Sequence, residues 1–199
     1  RRAYTDPTPA LRSPSRAAIA AGRNHPRIGM GSHSLTAMGV PGYNAHPPES
    51  AKGYADILKR AGWSTMFLGK WDHTPQWEST FAGPFDRWPS GDGWEHFYGF
   101  MSGDMNNFNP IMWMDHTPMQ PNYDQPGYHV NEDMADTAIR WISMLKASAQ
   151  KKPFNMFWAT GAVHAPHHAP DNWIRKFRGK FDMGYDKARE QILANQIKM

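Results

Sequence analysis

An α/β fold, with a mostly parallel sheet covered by helices, is the class this sequence predicts. Three observations point to it. Helix-like and strand-like segments alternate along the chain, in the order helix, strand, helix, strand, helix at the lengths of such domains. The two strand-like runs are short and apolar, as buried strands are, and the first is flanked by glycine. The chain is also built to pack: its net charge is only +4, and Trp 9, Tyr 7 and Phe 10 outweigh a shortage of Leu, Ile and Val. Met 13 and Trp 9 fill space that branched aliphatics usually fill. The 199 residues fit one domain or slightly more.

The elements follow in order. Ser13–Arg23 predicts a helix, with Ser13 as cap, Pro14 at the first helical position, an alanine-rich body and Gly22 as its stop. Residues 24–48, rich in Gly, Pro, His and Ser, predict loop. Glu49–Ala61 predicts a second helix, with Ala51, Tyr54, Ala55 and Leu58 on one face and Gly62 as its end. Trp63–Leu68 is the first strand. Residues 70–128 show little periodicity, so they hold either short elements or a binding wall. Trp71, Trp77, Trp88, Trp94 and Trp113 in this stretch serve as core or stack on a ring ligand. Asn131–Ala149 is the clearest helix, capped by Asn131, with Glu132 and Asp133 at its positive end and Ala135, Ala138, Ile139, Ile142 and Leu145 as the apolar stripe. Phe154–Thr160 is the second strand, and Asp171–Phe177 and Tyr185–Ile197 are further helices.

Composition excludes several functions. With no cysteine, disulfides, thiolate metal sites and cysteine nucleophiles are ruled out together. No run approaches the roughly 18 apolar residues of a membrane span. Charges are dispersed, so no nucleic-acid stripe is expected. The residues from Arg1 on lack a signal-peptide pattern, and compartment and oligomeric state are not encoded legibly.

Chemistry is expected where strands end and a helix begins. In parallel sheets, ligands sit beyond the carboxyl ends of strands. Lys70 follows the first strand, and the second leads into Gly161-Ala162-Val163-His164-Ala165-Pro166-His167-His168. Arg12 and Arg16 flank the start of the first helix, where partial positive charge and two guanidinium groups suit a tetrahedral oxyanion. Solvated arginines, a surface lysine and a loop histidine are the plainer alternatives. His164, His167 and His168 also raise a histidine metal site, although Pro166 and Pro170 oppose the helix it would need.

Together these segments resemble the sulfatase family, within the alkaline-phosphatase-like superfamily, and bacterial arylsulfatases in particular. The family signature Cys-x-Pro-Ser-Arg-Ala-x4-Gly-Arg corresponds to Arg12-Ser13-Pro14-Ser15-Arg16-Ala17-Ala18-Ile19-Ala20-Ala21-Gly22-Arg23, differing only at its first residue. Gly-Lys-Trp-His appears as Gly69-Lys70-Trp71-Asp72, and His164 matches the histidine after the next strand. Arg178-Gly179-Lys180-Phe181-Asp182-Met183-Gly184-Tyr185 is similar to arylsulfatases too.

The resemblance implies an incomplete sulfatase-like catalytic domain over residues 1–199, whose parent reaction is hydrolysis of (aryl) sulfate esters to an alcohol or phenol and sulfate. It implies a sulfated small molecule as ligand, without nucleic acid or membrane. The signature cysteine would be oxidised to formylglycine, whose hydrate attacks sulfur. Arg16 would support that nucleophile, and Lys70 and His164 would contact sulfate. Ca2+ belongs to the complete family site. The family's acidic pair is expected before Arg1, and its Asp-Asn ligands after Met199, so this chain is not expected to bind the metal. Two positions depart from the motifs: Arg12 replaces the nucleophile, and Asp72 replaces a histidine. Arginine does not attack sulfur, so the chain is expected not to turn over; the alternative is a non-catalytic binder of sulfate or sulfated ligands. A small aliphatic core and open strand edges predict marginal stability.

Overall fold

A computed structural model describes residues 12–121 and 125–199. Two compact units divide it, one running through His167 and one from His168 on.

The first unit is built on a five-stranded mixed sheet. Its strands are β1 (Ser64–Lys70), β2 (His96–Phe100), β3 (Met112–Met114), β4 (Thr117–Met119) and β5 (Phe154–Ala159), in the spatial order β4-β3-β2-β1-β5. β1 is central and parallel to both β2 and β5, while β3 and β4 add an antiparallel hairpin at one edge. The parallel part matches the predicted class, with helices α1 (Arg12–Ala21), α2 (Tyr54–Arg60) and α3 (Val130–Ser148) around it.

Alternation along the strands sends residues to two cores. On one face Phe67, Trp71, Trp88, Trp94 and Phe97 cluster with Ala55 of α2, and Phe67 stacks on Phe157. On the other, Leu68, Tyr98, Phe100 and Met112 pack against Val130, Met134 and Ala138 of α3. A third cluster joins Ala17 of α1 to Ile28, Met30, Ala45 and Ala51. Trp71, Trp88 and Trp94 therefore serve as core, and the ring-stacking alternative does not hold for them.

Gly69 sets the geometry of the sheet's centre. It has φ +101, and a Cβ there would lie 2.0 Å from the Ala159 carbonyl oxygen, while one on Gly99 would lie 1.9 Å from the Gly69 carbonyl oxygen. The register aligns Gly99, Gly69 and Ala159 across β2, β1 and β5, so backbones approach closely beside Lys70.

Several boundaries differ from the expectations. The first helix begins at Arg12 rather than Ser13, and its cap lies outside the described residues; Ser13 is buried inside it, with Oγ 3.5 Å from Ser34 Oγ. Pro14 still sits in the first turn, where no N–H is needed. Glu49–Ala61 is not one helix: Glu49–Ala51 is a 3-10 turn, Lys52 is extended, and α2 starts after Gly53, whose N–H donates to Asp92 Oδ1 at 2.8 Å. The first strand begins at Ser64 and continues through Lys70, because the glycine at 69 passes between its neighbours. α3 is capped by His129, whose Nδ1 accepts from Asn131 N–H, not by Asn131. Its inward stripe runs through Met134, Thr137 and Ala138, and Ile139 is 64% exposed. The 70–128 stretch holds β2, β3, β4 and a 3-10 turn at Gln76–Glu78.

The second unit contains α4 (Asp171–Phe177) and α5 (Tyr185–Lys198), neither with a buried residue. No helix among the described residues is long and apolar enough to cross a membrane.

Candidate functional site

The carboxyl ends of β1 and β5 and the first turns of α1 open onto one cavity of about 1120 Å3. Arg12, Arg16, Lys70 and His164 all line it, with His33 and the backbone around Thr160–Val163. Two sequence signals thus meet at one place: a helix start, and the ends of two parallel strands.

Each cation is held by a carbonyl or an acid. Arg16 Nη1 donates to the Lys70 carbonyl at 2.7 Å, and burial lowers its pKa below the usual guanidinium value. Lys70 is 4% exposed; its ammonium donates to the Gly103 carbonyl at 2.5 Å and lies 3.5 Å from Asp72 Oδ2. Burial pulls the Lys70 pKa down to about 8, with Asp72 opposing and Arg12 and Arg16 adding to the fall. Arg12 Nε lies 3.4 Å from Asp72 Oδ2 and 3.1 Å from His33 Nε2, while its Nη1 reaches the Gly103 carbonyl at 3.3 Å and contacts His164 Nε2. The other ring nitrogen of His164, Nδ1, donates to the Ala165 carbonyl at 2.9 Å, so Nε2 keeps its lone pair toward Arg12.

Asp72 sits beneath the cations at 3% exposure, with φ +58. It is turned to the cup, whereas His73 is not: His73 Nδ1 donates to the Trp71 carbonyl at 3.0 Å, its ring lies 3.7 Å from the Trp71 ring, and burial lowers its pKa to about 3. His33 and Gly103 belong to the site and were not among the sequence candidates. His33 carries a weak signal, a polar residue before the short 3-10 turn Ser34–Thr36 that it caps. Gly103 contributes a carbonyl, which no residue type announces.

The histidine metal site is not formed. His164 turns into the cup toward Arg12, and no three His, Asp or Glu side chains among the described residues converge as metal ligands. The Ca2+ of the family resemblance does not fit the residues present either. A hard dication takes about six to eight oxygen ligands, and among the described residues the only acid within ion-pair reach of the cup's arginine and lysine is Asp72, already flanked by both.

The sheet, the helix-start cations and the strand-end histidine define an α/β protein with a cationic cup at its strand ends. The sulfatase family profile matches residues 10–198, and the chain belongs to that family. It is 28% identical over 201 residues to the arylsulfatase of Klebsiella aerogenes, covering 96% of this chain and 40% of that protein. It is 29% identical over 170 residues to human N-acetylgalactosamine-6-sulfatase, covering 80% and 31%. Among solved structures, Ps i-CgsB in complex with k-i-k-neocarrahexaose superposes with a TM-score of 0.62 at 24% identity, over 84% of this chain and 38% of that one. BT4656 in complex with D-glucosamine-2-N,6-O-disulfate superposes with a TM-score of 0.59 at 20% identity, over 85% and 28%. These likenesses establish the fold as the alkaline-phosphatase-like α/β fold of sulfatases. The chain spans about 40% or less of the length of these relatives.

Proposed function

We propose that this chain carries the sulfate-recognising side of a sulfatase catalytic domain and holds a sulfated small molecule without cleaving it. The family reaction is hydrolysis of sulfate esters; in this chain the cup supplies recognition alone. One observation carries the reading. Arg12, at the nucleophile position, lies inside the cup in contact with His164 and beside Asp72. A guanidinium stays protonated throughout the accessible pH range, so it offers charge and N–H donors but no lone pair to attack sulfur.

The remaining residues support recognition. Lys70 and His164 border the cavity as sulfate-contacting groups, and Arg16 buttresses the strand end through the Lys70 carbonyl. Solved relatives in complex with a carrageenan oligosaccharide and with a glucosamine disulfate favour a sulfated carbohydrate over a simple aryl ester. The test is an assay with p-nitrophenyl sulfate. The full chain is expected to release no p-nitrophenol above buffer while binding the ester in calorimetry. Turnover by the unaltered chain would contradict the reading, as would failure to bind both this ester and inorganic sulfate.

A further inference from the structure

The two positions that depart from the family motifs touch each other. Arg12 Nε lies 3.4 Å from Asp72 Oδ2, and Lys70 Nζ stands 3.5 Å from the same oxygen. Without Asp72, the guanidinium would stand beside Arg16 and Lys70 with no counter-charge. Without Arg12, the nearly inaccessible Asp72 carboxylate would lose one of its two close cations. Each departure makes the other tolerable, so the pair is a charge couple rather than two separate losses.

The seat of the guanidinium also contains a hydrogen-bond conflict. Leu35 N–H points at His33 Nδ1 at 3.1 Å, and Arg12 Nε–H points at His33 Nε2 at 3.1 Å. A neutral imidazole has one acceptor nitrogen and an imidazolium has none, so the two bonds cannot coexist. If Nδ1 accepts from Leu35, the proton sits on Nε2, which lies 3.7 Å from Asp72 Oδ1. Arg12 Nε is then left without its histidine acceptor while facing an open cavity.

We propose that Arg12 is the anion-holding group of this cup and supplies the positive charge that a divalent metal supplies in the complete family site, so that oxyanion binding here depends on Arg12 and not on a metal ion. The inference rests on reading the cup as a sulfate-ester site. An arriving oxyanion gives Arg12 Nε the acceptor that His33 cannot provide. His33 then settles with its proton on Nε2, facing Asp72, and Nδ1 keeps the Leu35 N–H. Asp72 holds the guanidinium over the cavity throughout. No bond is made or broken beyond hydrogen bonds and one imidazole tautomer.

The experiment is calorimetry on the full chain with sodium sulfate and p-nitrophenyl sulfate, in EDTA and again in calcium chloride, comparing the parent with Arg12→Gln and Arg12→Lys. The parent is expected to bind equally in both buffers. Arg12→Gln should bind about tenfold or more weakly, and Arg12→Lys should fall between, since it keeps the charge and loses the fork. Nitrogen NMR of His33 should show the proton move to Nε2 as sulfate is added to the parent, a readout that stands even if the variants fail to fold. Sulfate binding that survives Arg12→Gln, that needs calcium, or that leaves the His33 tautomer unchanged overturns the role of Arg12 while the cup stands. No binding of either probe by the parent, in either buffer, overturns the cup as well.

Discussion

Two neighbouring cavities diverge at the end of β1, and they solve the burial of charge in opposite ways. Lys70 and Asp72 turn to the cup; Trp71 and His73 turn to a cavity of about 380 Å3, lined also by Glu49, Lys52, Arg87 and Asp92. In the cup, buried charges are paired: Asp72 lies between Lys70 and Arg12. In the other cavity two buried groups are suppressed instead, although Arg87 in its lining still pairs with the buried Glu78 at 2.8 Å. Burial lowers the His73 pKa to about 3 and raises the Asp92 pKa to about 7, so both favour their neutral forms. One carboxyl oxygen of Asp92 has no hydrogen-bond partner; Asp72 Oδ2 in the cup lacks one too but has Arg12 and Lys70 at 3.4 and 3.5 Å. Keeping charge is useful where an anion must be held; neutralising it is the cheaper solution where side chains only fill a wall.

The comparison can be broken at the strand that separates the two cavities. Gly69→Ala should have the largest effect. It places a Cβ 2.0 Å from the Ala159 carbonyl oxygen at a φ of +101, costing on the order of 3 kcal/mol or more, and both cavities should be lost together in denaturant unfolding. A variant as stable as the parent would show that the strands can part there.

Asp72→Asn comes next and should strike the cup alone. It leaves Lys70 and Arg12 without a counter-charge, which should cost about 2 kcal/mol given that the Arg12 side chain is 28% exposed, and should lower Tm by several degrees. An unchanged Tm would mean that the couple carries no stability.

Asp92→Asn probes the other cavity through pH. The folded pKa of Asp92, about 7, is raised from 3.8 by burial first, against the opposing Gly53 N–H bond. Its contribution to stability is therefore fully present below about pH 4 and is lost as pH rises through about 7. The asparagine variant should lose less stability than the parent across that window, and equal slopes would count against suppression.

The smallest expected effect sharpens the cup. With a Lys70 pKa of about 8, sulfate affinity should hold below pH 7 and weaken as pH rises through 8, by up to about tenfold at pH 9. Lys70→Arg should push that fall beyond pH 10, because a guanidinium does not titrate there. A flat profile in the parent would remove Lys70 from ligand binding.

Legibility in the sequence followed the range of the interactions involved. α1, α3, β1 and β5 were visible because local pattern and punctuation decide them. β2 was not, since His-Phe-Tyr-Gly-Phe sits in a run of Trp, Gly and Pro without alternation, and β3 and β4 have three residues each. The start of α2 was misplaced because Gly53 is held by Asp92, thirty-nine positions away. The cup followed the same rule. Arg16, Lys70 and His164 stood out from element ends and from the family strings. His33 and the Gly103 carbonyl enter only through contacts made after folding. That Arg12 and Asp72 pair could not be read from either motif alone.

The most direct test of the cup is an experimental structure of the chain with p-nitrophenyl sulfate bound. The sulfate group should lie within hydrogen-bond distance of Lys70 Nζ, with Arg12 turned onto its oxygens and His164 beside it. A sulfate held elsewhere on the chain, with Arg12 still seated on His33, would contradict the account.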